Sequence, residues 1–474
     1  MTAPRVVVIG GGLAGIAAAL DLRDAGASVV LVERRSWLGG ATWSFRRGEM
    51  TVDNGQHVYM RCCTEYRSLL RRLGTEALAP LRSPLRVPVV SPGRRGVRTA
   101  WIFRDGLRPP FHLARALLGY RHVPAVERLQ LLRAVLALQA LRLEDSSLDE
   151  TSFADFLERT RQGPAARRAL WELIALPTTN VRAEECSLAL AARVFKTGLL
   201  DAPDGADLGW ADVPLLDLHG TAARRVLDAA GARLCLQATA RAVRLVGGHA
   251  GRGESGPMAF EVICDGGTLH AEAVVVAVPH EAAARLLPPE AGVDASAIQR
   301  LGTSPILDVH VVYDRKVAPF ELVAALDSPV QFVFDRTAAS GLGPREGTAA
   351  GPQYLVVSVS AADEEIGERP EVLVERYTRA LAELFPRARS ARVVDAFVTR
   401  EHRATFRARP GTQRLRPAAT TAVPGLALAG AWTDTGWPAT MEGAVRSGRA
   451  AAAAVLRTLG RAPRSVMPAE EVPA

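Results

Sequence analysis

Six residues near the start of the chain, Gly10-Gly11-Gly12-Leu13-Ala14-Gly15, constrain the fold most, because of what flanks them. Before them stands a short apolar run, residues 5–9 (RVVVI), which reads as a strand buried on both faces. A helical pattern follows over 14–25, and residues 28–33 (SVVLVE) form the next apolar run, so the segment predicts a βαβ unit. In Gly10-x-Gly12-x-x-Gly15 the first glycine permits a tight turn and the second lets backbone approach a pyrophosphate. The third lets helix and strand pack closely. The phosphates then sit at the helix N-terminus, among the unpaired N–H groups around Leu13 and Ala14 and the positive end of the dipole. Glu33 closes the second strand 18 residues past Gly15, where a carboxylate accepts ribose hydroxyls.

The fingerprint alone does not separate a nicotinamide from a flavin dinucleotide; two other segments do. Arg34-Arg35 and Gly39-Gly40 follow directly on Glu33 and supply a second glycine loop able to lie on the phosphates. Toward the other end, 428–433 (LAGAWT) and 438–448 (PATMEGAVRSG) read as the end of a buried strand, a turn, and a helix from about Met441 to Leu459. The N-terminus of that helix suits an electron-rich ring. A flavin's N1–C2=O edge becomes anionic on reduction, and a helix dipole stabilises that charge. FAD is the expected cofactor, and no metal site is expected.

At 474 residues the chain is too long for one ordinary core. The fold class expected is α/β: a Rossmann-like FAD-binding domain with an inserted α+β substrate domain. The FAD-binding part is expected over 1–80, 210–285 and 400–460, the substrate part over 81–209 and 286–399, and a flexible tail over 461–474. Residues 36–56 look loop-like, 62–74 helical with a stop at Gly74, 149–200 helical with a break at Pro177, 247–257 a Gly-rich surface turn, and 391–398 a strand. The formal charge of +8 is scattered over many arginines without a nucleic-acid-binding module, so no nucleic-acid partner is expected. The five cysteines, Cys62, Cys63, Cys186, Cys235 and Cys264, have no metal-ligand spacing and read as reduced thiols of a cytoplasmic protein. The N-terminus runs straight into a strand and lacks the pattern of a signal peptide. No uncharged apolar run is long enough to span a bilayer, so a membrane role would be peripheral, on the inner face of the cell membrane. Residues 111–143 are the expected contact. Phe111, Leu113, Leu117, Leu118, Leu129, Leu132, Val135, Leu136 and Leu138 supply apolar surface, and Arg115, Arg121, Arg128 and Arg133 supply charge for anionic headgroups. The competing expectation is that this stretch packs on the substrate domain.

Four further segments carry a family resemblance: 53–57 (DNGQH), 170–172 (LWE), 192–200 (ARVFKTGLL) and 435–444 (TGWPATMEGA). With the segments above they resemble FAD-dependent amine oxidases and carotenoid desaturases, and within these the squalene-associated branch, the hydroxysqualene dehydroxylases of hopanoid biosynthesis. The resemblance covers about residues 5–458. It implies that backbone near Ala240 holds the adenine and that Gln56 and His57 lie on a loop over the flavin. It also implies that Gly430 and Ala431 follow the last strand at the ribityl chain, and that Ala439 and Thr440 lead to Met441, whose N–H meets the pyrimidine edge. Arg35, or one of Arg46 and Arg47, would neutralise the phosphates. The chain departs from the family twice: Ala41 stands where an arginine usually follows the second glycine pair, and Ala431 where an acid usually accepts a ribityl hydroxyl.

The resemblance implies reductive removal of an allylic hydroxyl from a long isoprenoid lipid, hydroxysqualene, to give squalene. Such a site needs an acid for the hydroxyl, an apolar tunnel and little water. His57 is the preferred acid; its alternative is a bond to backbone or flavin alone. Asp53 is expected to cap its loop. Asp308 and His310 alternate on one face of a strand and either line the cavity or face solvent. Trp432 and Trp437 either wall the flavin or pack in the core. The sequence names no electron donor. Two other readings compete: a desaturase or amine oxidase of the same fold running the flavin in the oxidising direction, and a lipid carrier on this fold without cofactor.

Overall fold

The computed structural model describes residues 3–94, 96–246, 259–343 and 351–462. The Gly-rich turn expected at 247–257, and the expected flexible tail beyond residue 462, lie outside the described residues.

The βαβ unit forms as Arg5–Ile9, a helix Leu13–Asp24 and Ser28–Val32. These strands belong to a five-stranded parallel sheet ordered Arg233–Cys235, Ser28–Val32, Arg5–Ile9, Ala273–Val276, Leu426–Leu428. A parallel sheet is stable only when both faces are covered, which explains why Val6 to Ile9 are apolar without alternation. Val6 and Val8 pack with the Leu13–Asp24 and Met441–Thr458 helices, and Val7 and Ile9 pack into the opposite cluster. The two helices touch backbone to backbone: a Cβ added at Gly448 would lie 2.1 Å from the Ala14 carbonyl oxygen. Gly448→Ala is therefore expected to cost about 1–3 kcal/mol or more, read as a lower urea midpoint.

A second sheet has seven strands, ordered Val393–Thr405, Ser304–Tyr313, Gln353–Ser360, Phe332–Asp335, Leu322–Ala325, Arg86–Ser91, Arg98–Phe103. Along Ser304–Tyr313 the side chains alternate: Leu307, Val309, Val311 and Tyr313 pack under the Pro370–Leu384 helix, with Leu373, Tyr377 and Leu381. The other face carries Asp308, His310 and Val312, and Val312 packs against Met50 and Val52.

Three local expectations are corrected. Residues 36–56 are not all loop: Ser44–Arg47 and Met50–Asp53 pair as an antiparallel ribbon, closed where the Ser44 hydroxyl donates to Asp53 at 2.6 Å. The strand expected at 391–398 runs Val393–Thr405, so the boundary drawn at 399/400 falls inside a strand. It continues because it stays paired along Ser304–Tyr313, out to Ser304 opposite Thr405. Pro177 lies within the Glu172–Thr179 helix and does not break it. The stop comes at Asn180, whose left-handed backbone (φ +56°) is held by side-chain bonds to the Ser304 carbonyl (3.1 Å) and the Ala361 N–H (2.7 Å).

Candidate active site

The loops at the carboxyl ends of the five parallel strands gather most of the predicted phosphate-binding residues. Gly10 turns with φ +107°, donates its N–H to Val32 at 2.8 Å, and has no room for a side chain, since a Cβ would meet the Ala277 carbonyl oxygen at 2.2 Å. At Gly15 a Cβ would lie 1.9 Å from the Gly10 carbonyl oxygen. Gly12 differs. Its backbone is extended (φ −75°, ψ 176°), and the nearest atom to an added Cβ is Gly40 Cα at 3.8 Å. The protein itself leaves space there, over the helix start at Leu13 and Ala14, and this is the cradle a pyrophosphate needs. The second glycine pair closes on this loop: the Gly39 N–H donates to Gly11 at 2.8 Å, and a Cβ on Gly40 would sit 2.7 Å from Gly12 Cα.

Glu33 is buried beside the cradle, its two oxygens accepting the Gly11 N–H (2.7 Å) and the Arg35 N–H (2.8 Å). Each oxygen keeps a lone pair for a hydroxyl. The Ala238 N–H donates to Glu33 and the Gln237 N–H to Arg35, both at 3.0 Å, which brings the chain before Ala240 alongside. The Arg35 guanidinium donates to Gly40 at 2.9 Å and lies over Trp37 and Trp43 at 5.5 and 5.4 Å. The other arginines point elsewhere. Arg34 is exposed and makes no side-chain hydrogen bond among the described residues. Arg46 bonds within its own hairpin, to Thr51 at 3.0 Å, and Arg47 pairs with Asp395 at 2.9 Å. Arg35 is thus the arginine held against the glycine loops. Sequence reasoning missed its two tryptophans, although they flank Gly39-Gly40.

At the far edge of the sheet Gly430 (φ +141°) follows the last strand, and its N–H donates to Ser447 at 2.8 Å. The Trp432 indole donates to the Val278 carbonyl at 2.9 Å, and Trp437 lies under the Arg446 guanidinium at 4.8 Å. The Ala431 carbonyl accepts from the buried Arg416 at 3.2 Å; the position offers no side-chain acceptor. After Ala439, Thr440 caps the Met441–Thr458 helix by accepting the Gly443 N–H at 3.1 Å. Glu442 turns inward to accept the Tyr66 N–H (2.7 Å) and pair with Arg446 (2.7 Å). Thr440 takes the Gly443 and Ala444 N–H groups, so among the described residues the Met441 and Glu442 N–H groups are the ones left to a ligand. Arg193, on the Leu188–Phe195 helix, donates to Gly436 at 3.1 Å and brings the ARVFKTGLL segment to this turn.

The DNGQH loop is pinned from several sides. Asp53 does more than cap it: the buried carboxylate accepts from Arg336 (2.9 Å), Ser44 (2.6 Å) and the Leu215 N–H (2.9 Å). The Asn54 side chain accepts from the Trp43 N–H (3.0 Å) and donates to Ala41 (2.9 Å) and Glu401 (2.9 Å), tying this loop to the second glycine loop. Gln56 Nε2 is buried without a partner among the described residues. His57 is half-buried, with Nδ1 at 3.2 Å from the Gly55 carbonyl. Burial lowers its pKa below the usual imidazole range, against the raising effects of that bond, Asp53 and Glu401.

Asp308 and His310 do not face solvent; both are buried. His310 shares hydrogen bonds with Tyr354 (2.6 Å) and Thr399 (2.9 Å), stacks on Phe397 at 4.4 Å, and is pushed by burial to a pKa of about 3. It is a neutral, satisfied core histidine. Asp308 is different: its Oδ1 has no partner among the described residues. Burial raises its carboxyl to about 7; the negative charges of Glu401 and Asp53 add to this and the Ser358 hydroxyl opposes it. A Cβ added at Gly55 would be 3.5 Å from Asp308 Oδ2 and 3.7 Å from His57 Cε1, so the carboxyl lies across Gly55 from the imidazole. The open cradle at Gly12 and the unpartnered Gln56 Nε2 both fit a bound dinucleotide.

Comparison with known proteins bears on the family and the fold. The family model described as flavin containing amine oxidoreductase matches residues 13–456. The hydroxysqualene dehydroxylase of Rhodopseudomonas palustris is 29% identical over 477 residues, covering 96% of this chain and 99% of that protein. The probable zeta-carotene desaturase of Synechococcus elongatus is 25% identical over 492 residues, covering 95% and 98%. In fold, the solved structure of cyclohexylamine oxidase from Brevibacterium oxydans superposes with a TM-score of 0.67 at 20% identity, over 97% of this chain and all of that one.

Proposed function

The chain belongs to the flavin containing amine oxidoreductases, and from that premise we propose that it removes the allylic hydroxyl of hydroxysqualene to give squalene. FAD is the cofactor, and when bound and reduced it supplies the two electrons of the exchange. The carbon–oxygen bond breaks, the oxygen leaves as water with a proton from the site, and the carbon gains a hydrogen. The observation that carries this reading is Asp308, a buried carboxyl with an oxygen that has no partner among the described residues, set across Gly55 from His57, where burial pushes its pKa up to about 7. A departing hydroxyl needs a proton; removing hydrogen from a saturated chain or an amine does not.

The same reading assigns the remaining residues. Gly12 and the N–H groups of Leu13 and Ala14 hold the pyrophosphate, with Gly10 and Gly15 shaping the turn. Gly39, Gly40 and Arg35 close over it, Glu33 takes the ribose, and the backbone at Ala240 the adenine. Gly430, Ala431, Ala439, Thr440 and the Met441 N–H run along the flavin end, and Gln56 Nε2 bonds the group beneath its loop. His57, neutral at rest, faces the reacting oxygen, and Asp308 holds the proton behind it. The substrate is a long isoprenoid lipid, the class shared by the names of the dehydroxylase and desaturase relatives.

The alternative, desaturation, is favoured by the desaturase relative at nearly the same identity. Anaerobic single turnover separates them. Photoreduced enzyme mixed with hydroxysqualene is expected to form squalene as the flavin absorbance returns. Bleaching of oxidised enzyme by a saturated isoprenoid, with no reaction of hydroxysqualene, would make it a desaturase.

A further inference from the structure

Seven of the eleven exposed large hydrophobic side chains among the described residues fall within thirty positions: Leu107, Phe111, Leu118, Val126, Leu129, Leu132 and Leu136. Four belong to the Ala125–Ala140 helix, which is apolar on two faces. Its inner stripe, Leu131, Ala134 and Leu138, is buried in the core. Its outer stripe, Val126, Leu129, Leu132 and Leu136, is 53–75% exposed. A helix lying on a globular core normally turns charged and polar residues outward, so this outer face is built to be covered. The sorting also corrects the sequence expectation: Leu138 faces inward, Leu113, Leu117 and Val135 are half-buried, and Leu107 and Val126 join the outer face.

The charges around this face share one sign. Arg108, Arg115, Arg121 and Arg133 are exposed and form no ion pair among the described residues. The acid on the helix, Glu127, is turned inward to accept the Ala166 N–H at 2.7 Å. We propose that the outer face of residues 107–136 docks on an anionic lipid surface, with the leucines at acyl-chain level and the arginines among the headgroups. A second copy of the chain fits less well, because a two-fold contact would set these arginines against one another. No helix among the described residues is long and apolar enough to cross a membrane, so the contact is lateral. The proposal rests on exposure and charge alone and holds whichever reaction the site performs. The helix is also tied to the turn that precedes the Met441–Thr458 helix. Lys196 donates to the Gln139 and Leu141 carbonyls at the end of this helix (2.8 and 2.6 Å), and Arg193 on the preceding helix reaches Gly436.

The test is co-sedimentation of the full-length, flavin-loaded protein with vesicles of phosphatidylcholine alone or mixed with phosphatidylglycerol. Binding is expected only to the mixed vesicles and should weaken as salt rises. Leu129→Gln with Leu132→Gln should lower it roughly tenfold or more, and Arg115→Gln with Arg133→Gln should remove the preference for phosphatidylglycerol. All four positions are exposed, so folding and flavin content should be unchanged. Equal recovery in the supernatant with and without phosphatidylglycerol overturns the proposal. So does a concentration-dependent dimer abolished by the leucine substitutions in protein that binds neither vesicle, because a second copy would then cover the face.

Discussion

Gly12→Val is expected to purify folded but colourless. A Cβ at this position meets nothing among the described residues closer than Gly40 Cα at 3.8 Å, and the backbone there is extended, so the fold is expected to accept the substitution. What the side chain occupies is the space over Leu13 and Ala14. Losing two or three charge-assisted backbone hydrogen bonds, at roughly 1.5 kcal/mol each, weakens FAD binding about 10²- to 10³-fold. Gly15→Ala should behave differently: its Cβ would lie 1.9 Å from the Gly10 carbonyl oxygen, so both cofactor and stability should fall. Flavin absorbance per mole of protein, set beside far-ultraviolet circular dichroism and a urea midpoint, separates the two. Full flavin occupancy in Gly12→Val would mean that the pyrophosphate binds elsewhere.

Turnover is expected to decline as pH rises through about 7, and Asp308→Asn is expected to remove that limb while lowering the rate about 10²-fold or more. The sign follows from where the proton sits. The Asp308 carboxyl is raised to about 7 by burial, with Glu401 and Asp53 adding to it and the Ser358 hydroxyl opposing it, so below that pH it can donate and above it cannot. The same shift leaves a mark on folding that needs no substrate. In the unfolded chain the carboxyl ionises near pH 4, whereas the folded protein keeps the proton to about 7. The folded state binds more protons in that window, so stability falls as pH rises from about 4 to about 7 and then levels. Asp308→Asn should flatten that slope in urea titrations. His57→Ala should slow turnover about 10²–10⁴-fold and leave the limb near pH 7 in place. Unchanged turnover in His57→Ala would take the imidazole out of the proton path, and an unchanged pH limb in Asp308→Asn would take the carboxyl out of it.

The proton-holding group shows where reading the chain alone stops. Alternation along 304–313 put Asp308 and His310 on one face, correctly, but a period of two does not say what lies against that face. Here it is the DNGQH loop and the Met50–Asp53 ribbon, and they turn two identical-looking positions into opposites. His310 finds Tyr354 and Thr399 as partners; Asp308 keeps a bare oxygen and a proton. The arginine nearest the glycine loops was equally ambiguous. Arg34, Arg35, Arg46 and Arg47 are alike in sequence, and only the packing of Trp37 and Trp43 around Arg35, and of Asp395 against Arg47, sorts them.

Sequence by itself determined the features whose physics is local: the glycine turn between strand and helix, Glu33 at the strand end, and the helix starting at Met441. Each depends on backbone sterics or hydrogen bonds among residues close along the chain. Tertiary structure decided everything that depends on a partner far away. Arg336 neutralises Asp53 from 283 positions along the chain, Gly448 meets Ala14 across the two ends of the sequence, and the leucines of the Ala125–Ala140 helix divide into core and surface only once the core exists. Burial sets the free energy of a charge or a methyl group, and burial is a property of the assembled fold rather than of any segment.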